Sequence, residues 1–175
     1  MAHLIFGHRP AIFSLQALNK AMKRLNPDHV IFICKAINSA PYFGLLSMKV
    51  ADLRQGTARA EVVIEKKHLQ PYGFAHGGAC ASLVDAASFW AVYGQMDEGL
   101  GLTTVDLKVN YLAPVPKGLL VARGRSLRVG RSLCLCEASV ENEKGDLVAH
   151  GTSTLMVLEK LAICGAAQAP PKFLD

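Results

Sequence analysis

The run His76-Gly77-Gly78-Ala79-Cys80-Ala81-Ser82-Leu83-Val84-Asp85 opens a stretch that would be apolar on every side of a helix. Ala79, Cys80, Leu83, Val84, Ala86, Ala87, Phe89, Trp90, Ala91 and Val92 leave no polar face. A helix of that kind must be covered all round, so the rest of the chain has to enclose it. Asp85 is the one carboxylate within it, and no basic residue lies nearby in sequence to pair with it. An unpaired buried carboxylate costs several kcal/mol or shifts its pKa. Chemistry is the usual reason for keeping one.

The segments on either side supply the cover. Leu15, Leu18, Met22 and Leu25 follow a helical spacing broken at Asn26-Pro27-Asp28, and residues 30–37 predict a second helix closed by Asn38 and Pro41. Residues 43–52 and 57–65 read as strands joined at Gln55-Gly56, with Ala58, Ala60, Val62 and Ile64 alternating with polar neighbours. The long helix ends near Gly94. Val105, Leu107, Val109 and Tyr111 then alternate with Thr104, Asp106, Lys108 and Asn110, which gives a half-buried strand over 104–112. Three more strands, 119–128, 133–141 and 147–158, are joined by turns at Gly130-Arg131 and Lys144-Gly145. The class is α+β: an antiparallel sheet of about six strands that curls around one long helix. Residues 1–40 form a helical extension, 41–158 the main domain and 159–175 a loose tail. The sheet's edge and outer face still need cover, so self-association is expected.

Composition narrows the function classes. The 175 residues are 51% hydrophobic and 19% charged, with a net charge of +5. No apolar run reaches the roughly 18–20 residues of a membrane helix, and His8, Arg9 and Pro10 interrupt the place where a secretion signal needs an apolar core. The five cysteines form no CxxC pair, which argues against a disulfide framework or a zinc site and fits a reducing cytoplasm. The basic residues are scattered and no nucleic-acid motif is present; the charge suits a smaller anion such as a phosphorylated cofactor. Arg128 and Arg131, flanking the Gly130 turn, are candidates for gripping phosphates.

At the helix start, unpaired N–H groups and the positive dipole end suit a developing oxyanion, and glycines at 77 and 78 permit close approach. Asp85 follows two turns later, roughly 12 Å along the axis, too far to serve the same carbonyl as Gly77. A neighbouring subunit would supply the missing half.

The chain resembles the hot-dog-fold acyl-CoA thioesterases of the phenylacetate-degradation and 4-hydroxybenzoyl-CoA type. The resemblance spans about residues 41–158. It is carried by Gln70-Pro71-Tyr72-Gly73-Phe74-Ala75-His76-Gly77-Gly78, by Asp85, by Thr103-Thr104-Val105-Asp106-Leu107 and by Gly145-Asp146-Leu147-Val148-Ala149-His150-Gly151. It implies Asp85 as base or nucleophile, the Gly77 N–H as oxyanion donor, Gln70 as the amide that orients water or the substrate carbonyl, and Thr104 as a holder of the attacking water. Gln70 stands where the phenylacetate branch more often has Asn, and Phe89 stands where some members place a Thr. His76 and Gly78 fall beside the substrate, or cap and shape the helix start. Phe89, with Phe74 and Trp90, would line the acyl pocket. The resemblance further implies an acyl-CoA substrate, no metal, no cofactor beyond the substrate's own coenzyme A, and a homodimer or dimer of dimers with shared sites. A hot-dog hydratase or dehydratase and a non-catalytic acyl-CoA-binding protein are the competing readings.

Overall fold

The computed structural model describes residues 23–174. Its elements run β1 (Arg24–Leu25), α1 (Pro27–Asn38), α2 (Pro41–Leu45), β2 (Met48–Arg54), β3 (Thr57–Ile64), α3 (Gly77–Tyr93), β4 (Leu100–Tyr111), β5 (Gly118–Val129), β6 (Leu133–Glu141), β7 (Leu147–Glu159) and β8 (Phe173–Leu174). Six strands form one antiparallel sheet in the order β2-β3-β5-β6-β7-β4. All six pack against α3.

The enclosure follows from the residues. Ten of the helix's side chains are buried, spread round its circumference from Ala79 to Tyr93. Leu83, Val84, Leu120 and Val140 are fully buried at the centre of the core, each contributing about 1.5–3 kcal/mol relative to exposure. Two strand glycines let the helix sit this close. A Cβ on Gly124 would meet the Ala87 carbonyl, and one on Gly151 would come within 2.8 Å of Val84 Cγ1. A second apolar cluster, around Ile33, Ile37, Val92, Leu102 and Leu155, joins α1 to the far end of α3. The five thiols are all free.

Three expectations need correction. Residues 43–45, read as the start of a strand, belong to the helix Pro41–Leu45; Pro41 stands in its first turn, where its missing N–H costs nothing. Leu25 belongs to a strand rather than a helix, and the Asn26-Pro27-Asp28 break is an N-cap, with Asn26 Oδ1 accepting from the Asp28 N–H at 3.0 Å. The spacing of Leu15, Leu18 and Met22 lies outside the described residues.

The tail is not loose. Leu25 pairs with Phe173 and Arg24 with Leu174. Asn26 Nδ2 donates to the Pro171 carbonyl at 2.8 Å, and buried His29 donates through Nδ1 to the Pro170 carbonyl at 2.7 Å. Backbone bonds and single anchors of this kind leave no periodic trace in a sequence.

Candidate active site

The helix start is set by the loop before it. His76 is extended (φ −64°, ψ 138°) and caps α3, its Nδ1 accepting from the Gly78 N–H at 2.9 Å. Its carbonyl takes the Ala79 N–H at 2.9 Å. The Gly77 N–H is left without an acceptor among the described residues, and it carries the positive end of the helix dipole. The Tyr111 ring lies over Gly77, so close that a Cβ there would be 3.0 Å from Cζ.

Gln70 is placed by a tight loop. Its N–H donates to the Phe74 carbonyl at 2.8 Å, its own carbonyl accepts from Gly73 at 2.9 Å, and Gly73 takes φ +83° to close the turn. The Gln70 side-chain oxygen accepts the Tyr72 N–H at 2.6 Å. The carboxamide oxygen is thus used, and the NH2 group keeps its donors for a carbonyl. Gln70, Phe74, Gly77, Cys80 and Tyr111 border a cavity of about 370 Å³.

Asp85 faces a different cavity, of about 470 Å³, with Tyr42, Ser82, Phe89, Trp90 and Thr104 in its walls. Thr104, on the edge strand β4, donates its hydroxyl to Asp85 Oδ1 at 2.8 Å. Among the described residues Asp85 has no ion-pair partner. Burial raises its pKa above the ordinary aspartate value, and the Thr104 hydrogen bond offsets part of the rise. A half-buried carboxylate of this kind can hold and deprotonate a water, or attack a carbonyl itself.

The structure therefore brings Asp85, Thr104 and Phe89 together, and separately Gln70, His76, Gly77 and Gly78. It does not bring the two groups to one cavity within the chain. Arg128 and Arg131 are exposed at the β5–β6 turn and line neither cavity. His68, only 3% exposed, is committed to the fold: Nδ1 accepts from the Glu65 N–H at 2.9 Å and Nε2 donates to the Leu46 carbonyl at 2.8 Å.

Sequence reasoning missed Tyr42. Ser82 Oγ donates to the Gly78 carbonyl at 2.9 Å, so the Tyr42 hydroxyl donates to Ser82 at 2.7 Å. This bond ties α2 to α3 in the wall of the Asp85 cavity. Pro41, a helix-start residue, was the available signal. No helix among the described residues is long and apolar enough to cross a membrane.

A single helix enclosed by an antiparallel sheet, with an acid midway along it and a free amide at its start, defines the hot-dog class of fold. A thioesterase from Haemophilus influenzae superposes on it with a TM-score of 0.72, at 21% identity, over 81% of this chain and 98% of that one. Residues 72–149 match the family model of the thioesterase superfamily. The proofreading thioesterase EntH of Klebsiella pneumoniae is 31% identical over 93 residues, covering 53% of this chain and 68% of that protein. The 1,4-dihydroxy-2-naphthoyl-CoA hydrolase of Listeria monocytogenes is 22% identical over 115 residues, covering 66% and 94%. The chain belongs to the thioesterase superfamily and is, by that membership, a thioester hydrolase.

Proposed function

We propose that this protein is an acyl-CoA thioesterase that works as a dimer or dimer of dimers, with each site shared between two subunits. The observation that carries the reading is the division just described: an acid with its threonine in one cavity, an oxyanion donor with its amide in another. One thioester carbonyl needs both. The name of the Listeria relative specifies a coenzyme A thioester, which supports that substrate class.

In this reading the Gly77 N–H and the Gln70 NH2 of one subunit polarise the acyl carbonyl. Asp85 of the neighbouring subunit acts on the carbon. Either it takes a proton from a water held by Thr104, whose oxygen retains acceptor capacity, or it attacks directly and the resulting anhydride is hydrolysed. Both routes end in a free acid and the coenzyme A thiol, with water consumed. No metal or further cofactor is called for, and the reducing cytoplasm inferred from the cysteines is the setting.

A panel of acyl-CoA thioesters assayed for free thiol tests the reading. Thiol release supports it. An altered acyl chain with no thiol released would indicate a hydratase, and binding without turnover a sensor. Gln70→Ala is expected to lower turnover less than Asp85→Asn does, because an amide orients groups and transfers no proton. An equal loss in a folded Gln70→Ala protein would make Gln70 the principal electrophilic group.

Arg128 and Arg131 are proposed to meet the coenzyme A phosphates from the β5–β6 turn, where both lie free of the two cavities. Their joint replacement by alanine should raise KM more with a full coenzyme A thioester than with a pantetheine thioester. Equal effects in steady-state kinetics would assign them to the solvated surface.

A further inference from the structure

Three cavities lie in series along the seam between α3 and β4. Gly77 and Tyr111 border the first, Asp85 and Thr104 the second, and Tyr93 and Leu102 the third, at the C-terminal end of the helix. Phe89 and Trp90 line both the second and the third. These two rings meet edge to face with centroids 5.0 Å apart, so the two cavities share one aromatic wall.

The third cavity measures about 380 Å³ and is walled largely by aliphatic and aromatic side chains, among them Ile33, Leu161 and Ile163. Lys172 lies in that wall and is only 2% exposed. Its backbone is fixed on both sides. The N–H donates to Glu98 Oε1 at 2.9 Å, and the carbonyl accepts the Asn26 N–H at 2.9 Å. The ammonium sits 3.7 Å from the centroid of the Tyr93 ring. Among the described residues it has no hydrogen-bond acceptor and no carboxylate at ion-pair distance. No fully occluded side-chain nitrogen or oxygen among them lacks a partner, so the ammonium keeps some surface open to the cavity.

Burial takes the Lys172 pKa down to about 8, against the upward pull of Asp97 and Glu98. Tyr93 donates its hydroxyl to His29 Nε2 at 2.9 Å, because His29 Nδ1–H is spent on Pro170. A desolvated ammonium with three donors and no acceptor within hydrogen-bond reach is costly. An oxygen delivered into the cavity would supply the missing acceptor.

Resting on the thioesterase reading above, we propose that the third cavity receives the far end of the acyl group and that Lys172 selects chains carrying a neutral oxygen acceptor, a hydroxyl or keto group, at that end. The acceptor is neutral because Asp97 and Glu98 line the same cavity, and a further negative charge there would be repelled. The reach is set by the helix. From Asp85 to Tyr93 is two turns, roughly 12 Å, and the chain passes Phe89 and Trp90 on the way.

The test compares straight-chain acyl-CoA thioesters of increasing length, each with a methyl or a hydroxyl terminus. At lengths that reach the cavity, kcat/KM should favour the hydroxyl terminus by at least about tenfold, the usual effect of a hydrogen bond to a charged group. Lys172→Met should erase that preference, the loss falling on the hydroxyl-ended series. Ala169→Leu, which fills the same cavity from the tail, should shorten the longest chain accepted. No preference in the wild type, or an equal loss on both series in Lys172→Met, would overturn the assignment.

A free medium-chain alcohol, followed by NMR titration of the Lys172 side chain, separates the sources of the oxygen. An upward shift of the lysine titration together with the thioester preference supports the acyl-end site. Where thioesters are turned over, a shift without the preference assigns the cavity to a separate ligand and overturns it. If no thioester releases thiol, the thioesterase reading fails on its own. The alcohol titration then decides the cavity, a shift supporting an oxygen-binding site there and an unmoved lysine overturning it.

Discussion

Asp85→Asn is expected to lower turnover by at least about a hundredfold, the lower end of what removing a positioned acid–base group costs. The fold should survive, because asparagine has the same shape and its carbonyl oxygen can still accept the Thr104 hydroxyl. Stability should move the other way. The folded pKa of Asp85 is raised by burial, so its contribution to stability is fully present below the unfolded pKa and is lost as pH rises through the folded one. Above that folded pKa the ionised carboxylate is a burden on the fold. Asp85→Asn should therefore be at least as stable as the wild type there, the advantage vanishing below the ordinary carboxylate range. The same shift places the acid limb of the wild-type pH–rate profile above the usual aspartate range. Denaturant titrations and rate profiles across pH check both parts. Near-normal turnover in Asp85→Asn would remove the carboxylate from the chemistry.

The second large effect concerns Gly77. Gly77→Pro deletes the free N–H yet suits its place, since proline is favoured in the first turn of a helix and the extended His76 before it is the conformation a following proline requires. The Tyr111 ring, half exposed on the edge strand, can give the few tenths of an ångström that the added carbon needs. Losing one oxyanion donor should cost about 10²–10³ in kcat. Mixing Gly77→Pro with Asp85→Asn should restore partial activity once subunits exchange, because a hybrid dimer holds one intact site. Sedimentation over a dilution series should show dimer or tetramer wherever turnover is seen. An active monomer, or demonstrated heterodimers without recovery, would rule out the shared site.

The legible parts of the fold were those with a period. An all-apolar run can only be a buried helix, and the alternation from Thr104 to Tyr111 and the glycine turns at 130 and 145 placed the strands within a few residues. The short α2 was misread because five apolar residues suit a strand or a helix equally, and only Pro41 favoured the helix. The tail was misread because its order comes from carbonyls of Pro170, Pro171 and Lys172 bonding to Asn26 and His29, contacts between positions more than 140 apart in sequence.

At the site, the exposed glycine amide and the lone acid followed from local chemistry. Thr104 entered only through the family resemblance, as a holder of the attacking water; its direct bond to Asp85 was not foreseen, since nothing local joins a strand hydroxyl to a helix carboxylate 19 positions earlier. The Tyr42–Ser82 bond and the Lys172 cavity depend on how α2 and the tail pack, and both segments had been read as something else.

The small β1–β8 ladder also fixes where the described fold begins and ends. Arg24 and Leu174 are direct antiparallel partners, so their Cα atoms lie within about 5.5 Å of each other. Entry and exit share one point, and the unit is in effect a closed loop of chain. Joining the two ends with a short linker and opening a surface turn, such as the one at Gly145, would permute the order of the strands without moving any of them. The same geometry would let the whole unit be spliced into an exposed loop of a host protein, hung from a single spot.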